Sequence, residues 1–166
     1  MKTLTIVLCT LALSVGLATG VAVGRQTRST DDGKAEVRKA FDEYYRIFSD
    51  ERADLVAERV YGVPRLTFGA TTVGVQTSRD AVAASFAALL KSLVAQGYER
   101  SVMPEPNICV PNSNTAIVSG KFVRYRKDGS VMVELGSAYI FGRTADGWRI
   151  FASISHAADY ALTCKG

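Results

Sequence analysis

His156 is the single histidine of the chain and therefore the one side chain whose unperturbed pKa suits proton transfer near neutrality. Tyr44 and Tyr45, adjacent in sequence, and Tyr139 offer phenolic O–H groups of the kind that hydrogen-bond a ligand carbonyl or a developing oxyanion. Together these residues describe one chemistry, general acid–base catalysis by His156 and one tyrosine. The carboxylates add nothing to it. Asp42 and Glu43 are neighbours that point in different directions on a helix, so they form no dyad, and no Asp or Glu occurs between Glu58 and Asp80. Lys121, Arg124, Arg126 and Lys127 either meet an anionic ligand or form a solvated strand end. With a single histidine and no CxxC motif, neither a metal site nor a cofactor is expected.

The cysteines are read together with the N-terminus. Lys2 supplies a short positive segment, Leu4 to Leu17 an apolar stretch, and Ala18-Thr19-Gly20 or Ala22-Val23-Gly24 the small residues of a cleavage site, so residues 1–24 read as a signal peptide cut after Gly20 or Gly24. The competing reading is an N-terminal membrane anchor, since Leu4 to Val23 nearly spans a bilayer core of about 30 Å. Cleavage removes Cys9 and leaves Cys109 and Cys164 in a chain bound for a secreted or periplasmic, oxidising compartment. They are either bridged, contributing on the order of 3 to 4 kcal/mol in the chain-entropy model, or a buried free thiol and an exposed one.

Composition sets the outer limits. The chain has 166 residues, 48% of them hydrophobic and 22% charged, the balance of an ordinary packed domain. Without Lys2 the count is 19 basic against 16 acidic residues, a net charge of +3. The basic residues are scattered and form no long run, so no nucleic-acid partner is expected, and no stable membrane span is expected after cleavage.

These residues need elements to position them. Residues 25–33 read as a polar linker, residues 34–160 as one domain and 161–166 as a tail. Val37, Phe41, Tyr44, Tyr45 and Phe48 recur at three-to-four spacing and predict a first helix, capped by Asp31 or Asp32. A short second helix is expected over Arg52 to Val60, and a small hairpin from Leu66-Thr67-Phe68 and Thr72 to Val75. Thr77 and Asp80 make a capping-box variant ahead of a third helix, whose stripe is Val82, Phe86, Leu89, Leu90 and Leu93 and whose stop is Gly97. Strands follow at Tyr98 to Val110, bent or bulged at Pro104 and Pro106, then Thr115 to Arg126, Ser130 to Arg143 and Trp148 to His156, the first tight turn lying at Asp128-Gly129. Helices followed by a four-stranded antiparallel meander give an α+β fold.

This order of elements, with GVQTSRDAVAASFAALL in the middle and DGWRIFASISH at the end, resembles the NTF2-like superfamily, in particular its SnoaL-like branch. The resemblance implies N-terminal helices packed in a strongly curved antiparallel sheet, a cone with an apolar pocket between them, and leaves a homodimer through the outer sheet face open. Ketosteroid-isomerase-like members carry a carboxylate base in the short strand after the second helix, where this chain has Leu66-Thr67-Phe68-Gly69. SnoaL-like members often place histidines early in the last strand, where this chain has Ala152 and Ile154.

By strand alternation, Trp148, Ile150, Ala152, Ile154 and His156 share one face, and Val131, Val133, Leu135, Ser137, Tyr139 and Phe141 form the more apolar row of the strand before it. That row is assigned to the concave side, with Glu134 outside. The expected ligand-binding set is Tyr44, Tyr45, Phe68, Phe122, Tyr139, Phe141, Trp148 and His156, with His156 the candidate catalytic residue. The leading reading is an exported protein that binds a small apolar molecule or partner in its cone. The alternative is an acid–base enzyme of isomerase, cyclase or dehydratase type acting on a polyketide-like or steroid-like substrate. A third reading has the cone plugged by Phe41, Phe48, Phe68, Phe86, Phe122 and Trp148.

Overall fold

The computed structural model describes residues 30–160 and 162–164. The expected signal peptide, its cleavage site and residues 25–29 of the expected linker lie outside the described residues. Helix α1 spans Thr30–Ser49. Its start takes in the last part of the expected linker and puts Asp31 and Asp32 in the first turn, where their charge opposes the positive end of the helix dipole. One face of α1 buries Val37, Phe41, Tyr44, Ile47 and Phe48, and a ring such as Phe41 gains about 2 kcal/mol by leaving water. The other face carries exposed pairs Arg38–Asp42, Arg46–Glu43 and Arg46–Asp50, each worth a few tenths of a kcal/mol at most.

Helix α2 is a single turn, Ala53–Leu55, which widens into a π-helical turn over Val56–Val60. Strand β1 then runs over Tyr61–Phe68, longer than expected because it begins before Pro64. It pairs with β2, Val73–Gln76. Helix α3 covers Arg79–Ala95, and its N-cap is Ser78 rather than Thr77, with the Ser78 Oγ accepting from the Ala81 N–H at 3.2 Å. The expected strand over Tyr98 to Val110 is divided at its prolines into β3, Tyr98–Val102, and β4, Asn107–Asn112. Both pair with different stretches of β5, Thr115–Arg126. Strands β6, Val131–Thr144, and β7, Gly147–His156, complete the sheet. The β5–β6 turn relies on Gly129 at φ 81°, a backbone conformation that is free of strain only for glycine.

The strand order is β2-β1-β7-β6-β5-β3, with β4 on β5. The meander is antiparallel, but β1 runs parallel to β7, so the sheet is mixed rather than antiparallel throughout. It curls around α1, and the concave side buries Val118, Tyr139, Phe141 and Ile150 against the aromatic face of the helix.

One irregularity decides which side chains reach that side. Phe141 pairs with Ile150 and Ile140 with Ala152, so Phe151 is an extra residue, a β-bulge. The alternation of β7 reverses there. Trp148 and Ile150 face inward with Phe141, whereas Ala152, Ile154 and His156 lie in the outward row with Ile140, Ala138 and Gly136. The expected five-residue face of β7 is therefore two faces. The Phe151 ring lies over two glycines. A Cβ on Gly62 would stand 2.3 Å from the ring, and one on Gly142 would stand 3.0 Å away.

The C-terminal segment crosses the outer face. Cys109 on β4 is joined to Cys164, their Cα atoms 5.6 Å apart. The Leu162 N–H donates to the Ser119 Oγ at 3.1 Å, and Ser119 is fully buried beneath it.

The Gly62→Ala substitution is expected to lower unfolding stability by about 2 kcal/mol, the usual cost of overpacking, as read from the midpoint of a denaturant transition. An unchanged midpoint would mean that Phe151 does not rest on Gly62.

Candidate functional site

The inward rows of β5 and β6, the aromatic face of α1 and Ser101 near the end of β3 line a small cavity. Its walls are Tyr44, Tyr45, Phe48, Ser101, Phe122, Arg124 and Tyr139, and its volume is about 20 Å³, room for little more than a water-sized group. Register explains the lining. Val118 opposes Tyr139, Phe122 opposes Leu135 and Arg124 opposes Val133, so the even positions of β5 from Val118 to Arg124 all project to the helix side.

Aromatic rings fill most of the cone. Phe41 lies 4.8 Å from Tyr45 and 5.6 Å from Tyr139, and Tyr44 meets Tyr61 edge-on at 5.7 Å. Centroid separations of this order are the favoured tilted and edge-on arrangements. The Tyr45 and Tyr139 hydroxyls are 3.4 Å apart. Burial, reinforced by the surrounding phenols, pushes the Tyr44 and Tyr45 hydroxyls well above the usual tyrosine range. Burial does the same to Tyr61, so all three are proton donors at any physiological pH.

Two arginines enter this apolar volume. Arg124 stacks over Phe122 at 5.1 Å and Phe48 at 5.6 Å. Arg65 is only 8% exposed and lies 4.6 Å from the Tyr61 ring and 4.7 Å from the Phe86 ring. One Arg65 terminal nitrogen donates to the Gln76 Oε1 at 2.5 Å. The Nε–H of each arginine is buried without an acceptor. Chemically the cavity wall is rings, hydroxyls that can donate or accept, and one guanidinium, with no carboxylate or imidazole.

Of the expected ligand-binding residues, the structure brings Tyr44, Tyr45, Phe122 and Tyr139 together. It moves the others elsewhere. Phe141 and Trp148 line a separate groove of about 460 Å³ between α1 and the β6–β7 turn. There the Trp148 indole N–H donates to Glu36 at 3.2 Å, and Arg143 both pairs with Glu36 and covers the Trp148 ring at 4.6 Å. That cluster clamps α1 to the turn. Phe68 pairs with Ile154 in the outward row, one step past inward Thr67.

His156 also faces outward, because the Phe151 bulge has reversed the alternation. Its ring nitrogens contact the Ser119 Oγ at 3.3 Å and the Ala157 carbonyl at 2.8 Å, and its ring meets Tyr160 at 5.9 Å. It is separated by the sheet from Tyr44, Tyr45 and Tyr139, so the expected acid–base pairing of His156 with a tyrosine is not assembled. Lys121 pairs with exposed Glu134 on the same outer face, which leaves Arg124 alone of the four cations in the cavity wall. Its position two residues from Phe122 on one strand was the available signal. Ser101 and Arg65 carried none, since Ser101 sits within the strand that its prolines break and Arg65 just before the expected start of β1. Among the described residues there is no group of three His, Cys, Asp or Glu side chains placed to hold a metal ion, and no helix is long and apolar enough to cross a membrane.

The fold has many relatives. A family model described as an NTF2-like protein (DUF6841) matches residues 35–158. An NTF2-like protein with a cystatin-like fold from Novosphingobium aromaticivorans superposes with a TM-score of 0.64 at 19% identity, covering 77% of this chain and 83% of that one. An NTF2-like putative dehydratase from Streptomyces avermitilis gives 0.59 at 16%, covering 78% and 98%. A ketosteroid isomerase-like protein from Erwinia carotovora atroseptica gives 0.56 at 14%, covering 78% and 99%. Identities this low establish shared fold only. No curated protein matches the sequence.

The raised phenols set an alkaline limit on the fold. Tyrosines ionise near pH 10 when unfolded, whereas Tyr44, Tyr45 and Tyr61 in the fold hold their protons to higher pH. Their contribution is therefore complete below about pH 10 and is lost as pH rises further. An ultraviolet phenolate titration should show these three ionising only as the near-ultraviolet circular dichroism collapses. Their ionisation near pH 10 with the fold intact would contradict the buried placement.

Proposed function

We propose that this chain, which belongs to the NTF2-like family DUF6841, is an exported binding protein that holds a small, largely apolar molecule at its conical pocket and performs no acid–base catalysis. The observation that carries the reading is the cavity wall, made of rings and donors without a base. A proton-abstracting enzyme needs a group of suitable pKa within hydrogen-bond reach of its substrate, and here the one histidine is on the far side of the sheet.

The volume of about 20 Å³ limits what enters the cone to one end of a ligand. The rest lies at the mouth, where Leu135, an inward-row residue opposite Phe122, is 44% exposed. An exposed leucine beside a buried ring is the kind of apolar surface that small-molecule sites present. The Cys109–Cys164 bond is suited to an oxidising compartment, in keeping with export through the N-terminal segment.

Native mass spectrometry of the protein recovered from the exporting cell tests this directly. A chain beginning after Gly20 or Gly24 is expected, carrying a small mass that is lost on denaturation. Leu135→Asp is expected to weaken retention of that mass about tenfold, while His156→Ala leaves it unchanged. An uncleaved chain would overturn export, and loss of the ligand in the His156→Ala protein would overturn the placement of the site.

A further inference from the structure

The cone holds positive charge with no matching negative charge. Arg124 belongs to none of the ion pairs among the described residues, and neither does Arg65. Each has a buried Nε–H without an acceptor. A buried donor left unmade costs roughly 1–3 kcal/mol, more when charged, and native structures seldom keep such a group unless something else satisfies it. Solvated strand ends do not explain Arg124, because its guanidinium lies between Phe48 and Phe122.

The phenols point the same way. Two hydroxyls 3.4 Å apart share one proton in the hydrogen bond between them, and the other O–H proton of the Tyr45–Tyr139 pair is left to donate elsewhere. Both residues line the cavity with Arg124. The wall therefore brings the Arg124 side chain and the Tyr45–Tyr139 pair to one small volume and offers no carboxylate to compete for them. An ammonium group would find ring faces and hydroxyl oxygens but would also meet the like charge of Arg124. A neutral carbonyl would accept the hydrogen bonds but leave the charge uncompensated, whereas a carboxylate supplies both acceptors and charge and matches the planar fork of arginine.

We propose that the cone binds small apolar carboxylic acids, with the carboxylate held by Arg124 and the Tyr45–Tyr139 pair and the hydrocarbon body lying on Phe122 and Leu135. This rests on the binding reading above and adds the chemical class of the ligand. Two features suit the two ends: a cavity of about 20 Å³ takes a carboxylate oxygen and little else, and the exposed Leu135 stands next to Phe122 in the inward row. Arg65, in register with the β2 residue Gln76 and stacked on Tyr61, adds a second buried positive charge behind the phenols.

The test uses the mature, oxidised chain and calorimetric titration with octanoate and 4-phenylbutyrate, each compared with its primary amide, which keeps the body and removes the charge. The acids are expected to bind at least about tenfold more tightly than the amides. Arg124→Gln should bring the acids down to the affinity of the amides, and Tyr139→Phe, which keeps the ring, should weaken the acids about fivefold. If Arg124→Gln does not fold, the acid-to-amide ratio of the wild type and the Tyr139→Phe variant decide the matter. Equal affinities of acid and amide would overturn the carboxylate assignment while leaving the binding function standing. Binding of neither would overturn both.

Discussion

The aromatic face of α1 must be buried, and in this fold it is buried inside a sheet that curls around it. Val37, Phe41, Tyr44, Ile47 and Phe48 meet Tyr139, Phe141, Ile150 and Tyr61, and this contact supplies much of the apolar burial that holds helix and sheet together. A flat sheet could not enclose them. Extra residues in β1, β6 and β7 shift the register, and each tightens the local twist that lets the sheet curl. Once the rings are in, only about 20 Å³ is left. The cone is thus largely filled by its own side chains, and what remains open to a ligand is the polar seam where Tyr45, Tyr139 and Arg124 meet and the apolar mouth beside it.

The bulge at Phe151 has consequences beyond shape. It assigns Trp148 and Ile150 to the interior and His156 to the exterior, where Ser119 and the segment tied down by Cys164 cover it. The chain therefore separates its one imidazole from its phenols by the thickness of a sheet. What is left inside can donate hydrogen bonds and compensate negative charge, but it cannot accept a proton at neutral pH. It is on such a wall that the proposed recognition rests.

Much of the fold was legible in the sequence because it rests on local signals. The three-to-four spacing from Val37 to Phe48, the Asp128-Gly129 turn and the stripe from Val82 to Leu93 each report their own element. The NTF2-like character followed from their order. Of the expected set, Tyr44, Tyr45, Phe122 and Tyr139 meet because their elements do. His156 lies on the other face because strand alternation holds only while pairing is regular. The extra residue at Phe151 is accommodated by Gly62 and Gly142 on two other strands, a tertiary cause with no local trace. The parallel pairing of β1 with β7 is likewise non-local, as is the placement of Arg65 against Phe86 of α3. Arg124 shows the converse: its parity with Phe122 carried the information, but the surrounding cations made it read as part of a solvated cluster.

Where a ligand sits is the central claim, and mapping of backbone amide chemical shifts on adding 4-phenylbutyrate to the mature chain tests it most directly. The structure predicts saturable shifts at Tyr45, Ser101, Phe122, Arg124, Leu135 and Tyr139, with Phe68 and His156 unmoved. Shifts confined to the outer face around His156, or to the groove of Glu36 and Trp148, would contradict it.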